Sequence, residues 1–106
     1  MSNNIQNSFN KVETSNIQPE LERTLKQLAK AVEALTRSLS EEQASEAAED
    51  FTKLVGEATK PTPNKKWYSV SIEGLIEAAE NVEKVGEPVI NLSRKVMSLL
   101  SSGVDN

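Results

Sequence analysis

Leu21, Leu25, Leu28, Val32, Leu35 and Leu39 follow one another in steps of four and three without a gap. That spacing lays apolar side chains along one stripe of an α-helix. The residues flanking the stripe, Glu22, Thr24, Ala29, Ala31, Thr36 and Ser38, are small or polar, so the predicted helix packs along a narrow seam. Pro19 opens it without loss, since first-turn N–H groups have no intrahelical acceptor, and Glu20 and Glu22 suit the positive end of the dipole. Directly after the seam, Ser40-Glu41-Glu42-Gln43 reads as a capping box, with the Ser hydroxyl accepting from the backbone N–H three residues on. A second helix that starts where the first ends leaves room only for a reversal. The sequence therefore predicts an all-α fold begun by an antiparallel helical hairpin, about 19–39 and 41–59.

The inner face of the second helix reads Ala44, Ala47, Ala48, Phe51, Leu54, Val55 and Ala58. Alanines at its start permit close approach to the first helix, and Phe51 fills the wider middle. Its outer face carries Glu41, Glu42, Glu46, Glu49, Asp50 and Glu57 against Lys53 alone. Pro61 stops this helix by pushing the residue before it out of the α region. Lys60-Pro61-Thr62-Pro63-Asn64 then forms a stiff extended connector, with Ser69 or Ser71 expected to cap the next helix.

From Val70 the rhythm resumes through Leu75, Ala79, Val82, Gly86, Val89, Ser93, Val96 and Leu100, with Ile76, Ala78, Val85, Ile90, Leu92, Met97 and Leu99 beside it. A face this broad touches more than one neighbour. Gly86-Glu87-Pro88 interrupts it with residues that cost about 1 and about 3 kcal/mol in a helix interior, yet the apolar phase runs straight through. The expectation is one long C-terminal helix, about 70–101, kinked near Pro88. The alternative is a four-helix bundle with a break at 86–88. One helix over 70–101 spans ~48 Å against ~30 Å for the earlier two, at 1.5 Å per residue. Its overhang would expose Val89, Ile90, Leu92, Val96, Met97, Leu99 and Leu100, which form the candidate interface for a partner helix or a second copy.

Composition narrows the chemistry. The 106 residues contain no Cys and no His, which excludes thiolate nucleophiles, imidazole bases and Cys/His zinc sites. No catalytic, cofactor-binding or metal-binding residue is expected, and the chain is predicted not to be an enzyme. A net charge of −4 argues against duplex nucleic acid, whose phosphates need a basic face. No apolar run reaches the ~20 residues of a membrane span, and the opening MSNNIQNSFNKVETSN lacks the apolar core of a signal peptide. A cytoplasmic protein is expected. Residues 1–16 are rich in Asn and Ser, with Ile5, Phe9 and Val12 as their sizeable apolar side chains. So little apolar area predicts a disordered polar tail, ahead of a single helical domain over 17–102 and a frayed C-terminus over 103–106.

Glu73, Glu77, Glu80 and Glu87 fall opposite the apolar seam and read as a solvated face. The chain's lone Trp and lone Tyr stand in Lys65-Lys66-Trp67-Tyr68. This basic–aromatic cluster is the candidate partner patch, although such a Trp more commonly lies over a bundle end. Gly74 in the next turn suggests a close approach by a neighbour. Two functions are compatible with these features. One is a non-enzymatic helical module for protein–protein interaction or self-association. The other is an acidic inhibitor or antitoxin-like protein whose carboxylate faces cover a basic partner surface.

Pro63-Asn64-Lys65-Lys66-Trp67-Tyr68-Ser69-Val70-Ser71, followed by Gly74-Leu75 and Ala78-Ala79, resembles a helical segment of bacterial, especially cyanobacterial, proteins. There it is similar to a C-terminal module carried behind pentapeptide-repeat or signalling domains. The likeness spans about 19–101. It implies an adaptor or self-association role with no catalytic residues to carry over.

Overall fold

A computed structural model describes residues 3–104 of the chain. Within them the fold is all-α, with five helices: α1 (Asn3–Thr14), α2 (Pro19–Thr36), α3 (Glu41–Ala58), α4 (Lys65–Glu80) and α5 (Gly86–Val104). The hairpin forms as its end signals require. Pro19 is the first residue of α2, and the Ser40 hydroxyl accepts from the Gln43 N–H at 3.2 Å to start α3. Leu21, Leu25, Leu28, Val32 and Leu35 are buried, and Leu39 is packed against the core at the turn. On α3, Ala47, Ala48, Phe51, Leu54, Val55 and Ala58 are buried while Glu41, Glu42, Glu46 and Glu49 are exposed.

The long kinked C-terminal helix does not form. The chain leaves the helix after Glu80, turns through 81–85 and begins α5 at Gly86. This is the broken four-helix arrangement, with the break placed just ahead of Gly86-Glu87-Pro88. Pro88 then lies in the first turn of α5, where its missing N–H has no intrahelical acceptor to disappoint. Lys84 adopts φ 63°, and the Val85 N–H bonds the Glu83 carbonyl at 2.7 Å around it, a three-residue turn. The unbroken apolar rhythm has a simple cause. Val82 and Val85 in the turn pack against the same core as the two helices they join.

Each of α2, α3, α4 and α5 packs on the next, and α5 packs back on α2. Short links make successive helices antiparallel, and Lys95 Nζ of α5 reaches Glu20 Oε1 of α2 at 3.6 Å to close the ring. Residues 3–14 are not a disordered tail. They form α1, which lies on both α2 and α3 and buries Ile5, Ser8 and Val12. Those side chains are too few to stabilise a helix alone, but packing against a ready-made groove supplies what propensity lacks. Gly103 and Val104, expected to fray, continue α5, and residues 1–2 and 105–106 lie outside the described part.

Candidate functional site

Helix α4 begins ahead of the Ser69 expected to cap it. Asn64 takes that role: its side chain accepts from the Lys66 N–H at 3.0 Å. The connector is pinned ahead of it by Glu57, whose Oε2 takes Lys60 Nζ at 2.7 Å and whose Oε1 takes the Asn64 N–H at 3.0 Å. The Lys60 ammonium, and after it the Asn64 N–H, hold the Glu57 carboxyl below its ordinary value. With the helix started here, Lys65-Lys66-Trp67-Tyr68 falls in its first turn, and the four side chains part company.

Tyr68 turns inward and is fully buried, its hydroxyl without a hydrogen-bond partner among the described residues. Ser71, Ile72, Leu75 and Ala79 continue this inner face. Trp67 turns outward and stays 54% exposed, with Val70 one turn along at 56%. These are the exposed large hydrophobic side chains of the described residues. Lys66 Nζ stands 5.3 Å from the centre of the Trp67 ring, and Lys65 is also exposed. Residues three apart on a helix are neighbours, so Lys66, Trp67 and Val70 make one small apolar surface with a cationic rim. The sequence pointed at this cluster but paired Trp67 with Tyr68. The helix turns Tyr68 about 100° from Trp67 and into the core, while the long Lys66 side chain reaches back over the Trp67 ring.

The candidate interface on the last helix is part of the interior. Val89, Val96 and Leu100 are buried, and Ile90, Leu92, Met97 and Leu99 are partly buried against the same core. Breaking the chain at 81–85 removes the overhang that would have exposed them. Met97 Sδ instead accepts from the Ser69 hydroxyl of α4 at 3.8 Å.

Concave surfaces among the described residues include two away from the Trp67 face. One, of about 640 Å³, lies where the α1–α2 link, the α3–α4 connector and the end of α5 meet, with Ile17, Leu21, Pro61, Pro63, Leu99 and Leu100 among its walls. The other, of about 750 Å³, is a cleft between α3 and α4 that carries Glu46, Asp50, Glu77 and Glu80. Asp50 is wedged against Gly74, where an added Cβ would come within 2.3 Å of its Oδ2. Gly74 thus admits α3 of the hairpin, the close approach by a neighbour that its place in the sequence suggests. Desolvation pushes the Asp50 carboxyl above its ordinary value; Lys53 opposes this, and Glu49, Glu46 and Glu77 add to it. Among the described residues no group of three or more acidic side chains is placed to hold a metal ion, and no helix is long and apolar enough to cross a membrane.

No protein-family model, curated protein or solved structure matches this chain.

Proposed function

We propose that the chain is a non-enzymatic helical module for protein–protein interaction or self-association, and that it meets its partner through the outward face of α4. The observation that carries this reading is the exposure of Trp67 and Val70 together. An exposed Trp on a helix surface is the residue type most enriched among interface anchors, and the lysines beside it suit the polar rim around such an anchor. The resemblance of the segment from Pro63 to Ser71 to bacterial helical modules supports the same role, and a cytoplasmic setting is part of the proposal. Trp67 is the sole tryptophan of the chain, so its emission reports on this face directly. Solution mass and Trp67 emission should be followed together over a concentration series, for the wild type and for Val70→Glu. Growth in mass with a blue shift in the wild type, both lost in the variant, is the expected result. A wild type that stays monomeric with unshifted emission removes the self-association half. Photo-crosslinking from position 67 in cells then tests a different partner.

The acidic-inhibitor reading has one observation of its own: Glu46, Asp50, Glu77 and Glu80 converge on the α3/α4 cleft, where a basic segment would find concentrated negative charge. Charge reversal at Glu46 and Glu77 that left partner binding intact would end it.

A further inference from the structure

Helix α1 is the shortest of the five, and Lys26 of α2 lies over its Phe9 ring. Three of its side chains are buried, Ile5, Ser8 and Val12, with Phe9 partly buried beside them. Its polar ties to the hairpin include the bond from Ser8 Oγ to Thr52 Oγ1 at 3.3 Å and the ion pair between Glu13 and Lys26 at 3.5 Å. Pairs as exposed as the second contribute little. The ring of α2 to α5 closes without α1, so the groove that receives it is built by other helices. That groove is shaped for a helix. Ala29 stands one turn from Lys26 and Ala48 one turn from Thr52, so both lie on the faces that meet α1, and both are buried. Small side chains there let a helix backbone settle close.

We propose that this groove is a helix-receiving site and that its second occupant is α1 of another copy of the chain, so that copies associate by exchanging α1. The groove already shows what fits it: two β-branched aliphatic residues two turns apart with a serine between, which is what any second copy carries. The link supports exchange. Gln18 is extended (φ −60°, ψ 141°) immediately before Pro19, and proline disfavours a helical residue ahead of it. The helix therefore does not continue into the link of 15–18, whose own backbone sets the direction in which α1 leaves. Contacts made in the exchanged form are identical to those made at home, so the balance rests on the tether. A short flexible tether provides an effective concentration on the order of millimolar, and exchange should emerge as the protein approaches that range. The α4 face plays no part in this.

Because the chain has no cysteine, the exchange can be trapped uniquely. Full-length Ser8→Cys and Thr52→Cys chains are mixed near millimolar concentration, equilibrated, diluted and oxidised. The expected result is a disulfide-linked pair of one Ser8→Cys and one Thr52→Cys chain, at least ten-fold above the yield of Ser8→Cys with Glu73→Cys, an exposed position on α4. The yield should be unchanged when Trp67→Ser is added to both chains, which separates this association from one through α4. A yield no higher than the control overturns exchange and leaves α1 a permanent cover on its own groove. Wild-type amide exchange gives a second check. Opening of α1 should occur while α2 to α5 stay protected, and equal protection of α1 and α2 overturns the proposal.

Discussion

The two reversals at one end of the bundle, 37–40 between α2 and α3 and 81–85 between α4 and α5, join similar helices by different physics. The first is local. Ser40 turns out of the helix, its hydroxyl takes the Gln43 N–H, and the Ala44 N–H bonds the Ser40 carbonyl at 2.8 Å. The second is assembled around the carbonyl of Ala79, which accepts from the N–H groups of Asn81 and Val82 and on which Gly86 closes from the far side. Lys84 takes a positive φ to bring Gly86 there. One turn is specified by residues three apart, and the other by two helix ends that must meet. Their walls nonetheless meet in a single surface, because Ser38, Leu39 and Gln43 share the acidic cleft with Asn81 and Val82.

Changes at the two turns should differ in size accordingly. Gly86→Ala should be the most damaging, since its Cβ would lie 2.1 Å from the Ala79 carbonyl oxygen and backbone has to move. A loss of about 3 kcal/mol is expected from denaturant melts, and a loss below that of Ser40→Ala would mean that the turn relaxes freely. Ser40→Ala removes one cap and should cost about 1 kcal/mol, with thermal melting as the readout. Lys84→Gly should stabilise by ~0.5 kcal/mol, because glycine accepts a positive φ without the side-chain clash. Destabilisation by this change would show that the Lys84 side chain holds the turn by contacts of its own.

The smallest effect is expected in the cleft between the turns and depends on pH. Burial raises the Asp50 carboxyl in the folded chain, so folding is disfavoured once both folded and unfolded forms have lost the proton. Asp50→Asn should stabilise near neutral pH, and the gain should vanish below the ordinary aspartate range, where both forms are protonated. Glu57 has the opposite sign, its folded value being lowered by Lys60 and Asn64. Glu57→Gln should destabilise at neutral pH, and the difference should close as the pH falls through the folded value. Melting curves of the two variants from pH 3 to 8 should therefore move in opposite directions relative to wild type.

Legibility along the chain follows the same division. The α2 seam, Pro19, Ser40 and the stop before Pro61 could be read because each acts through neighbours within a turn. Asn64 was equally local, yet the prolines around it and the serines after it drew the start of α4 too late. That shift moved Trp67 and Tyr68 off a loop and onto opposite faces of a helix, so the candidate patch was found but its members were sorted only by the fold. The α5 face was recognised as apolar, but its location depended on whether the chain turned at 81–85. No pattern of hydrophobic residues distinguishes a kinked helix from two helices that share one core.

The sequence by itself determined that this chain is helical, where the hairpin begins and reverses, and which side of each helix is apolar. Those properties rest on propensity, capping and periodicity, which act over a few residues. Tertiary structure decided the rest. It ordered Asn3–Thr14, because a groove between α2 and α3 supplies the burial that Ile5 and Val12 cannot find alone. It also split the last helix at 81–85, because closing α5 back onto α2 buries Val89, Val96 and Leu100, which a straight helix would have left in water.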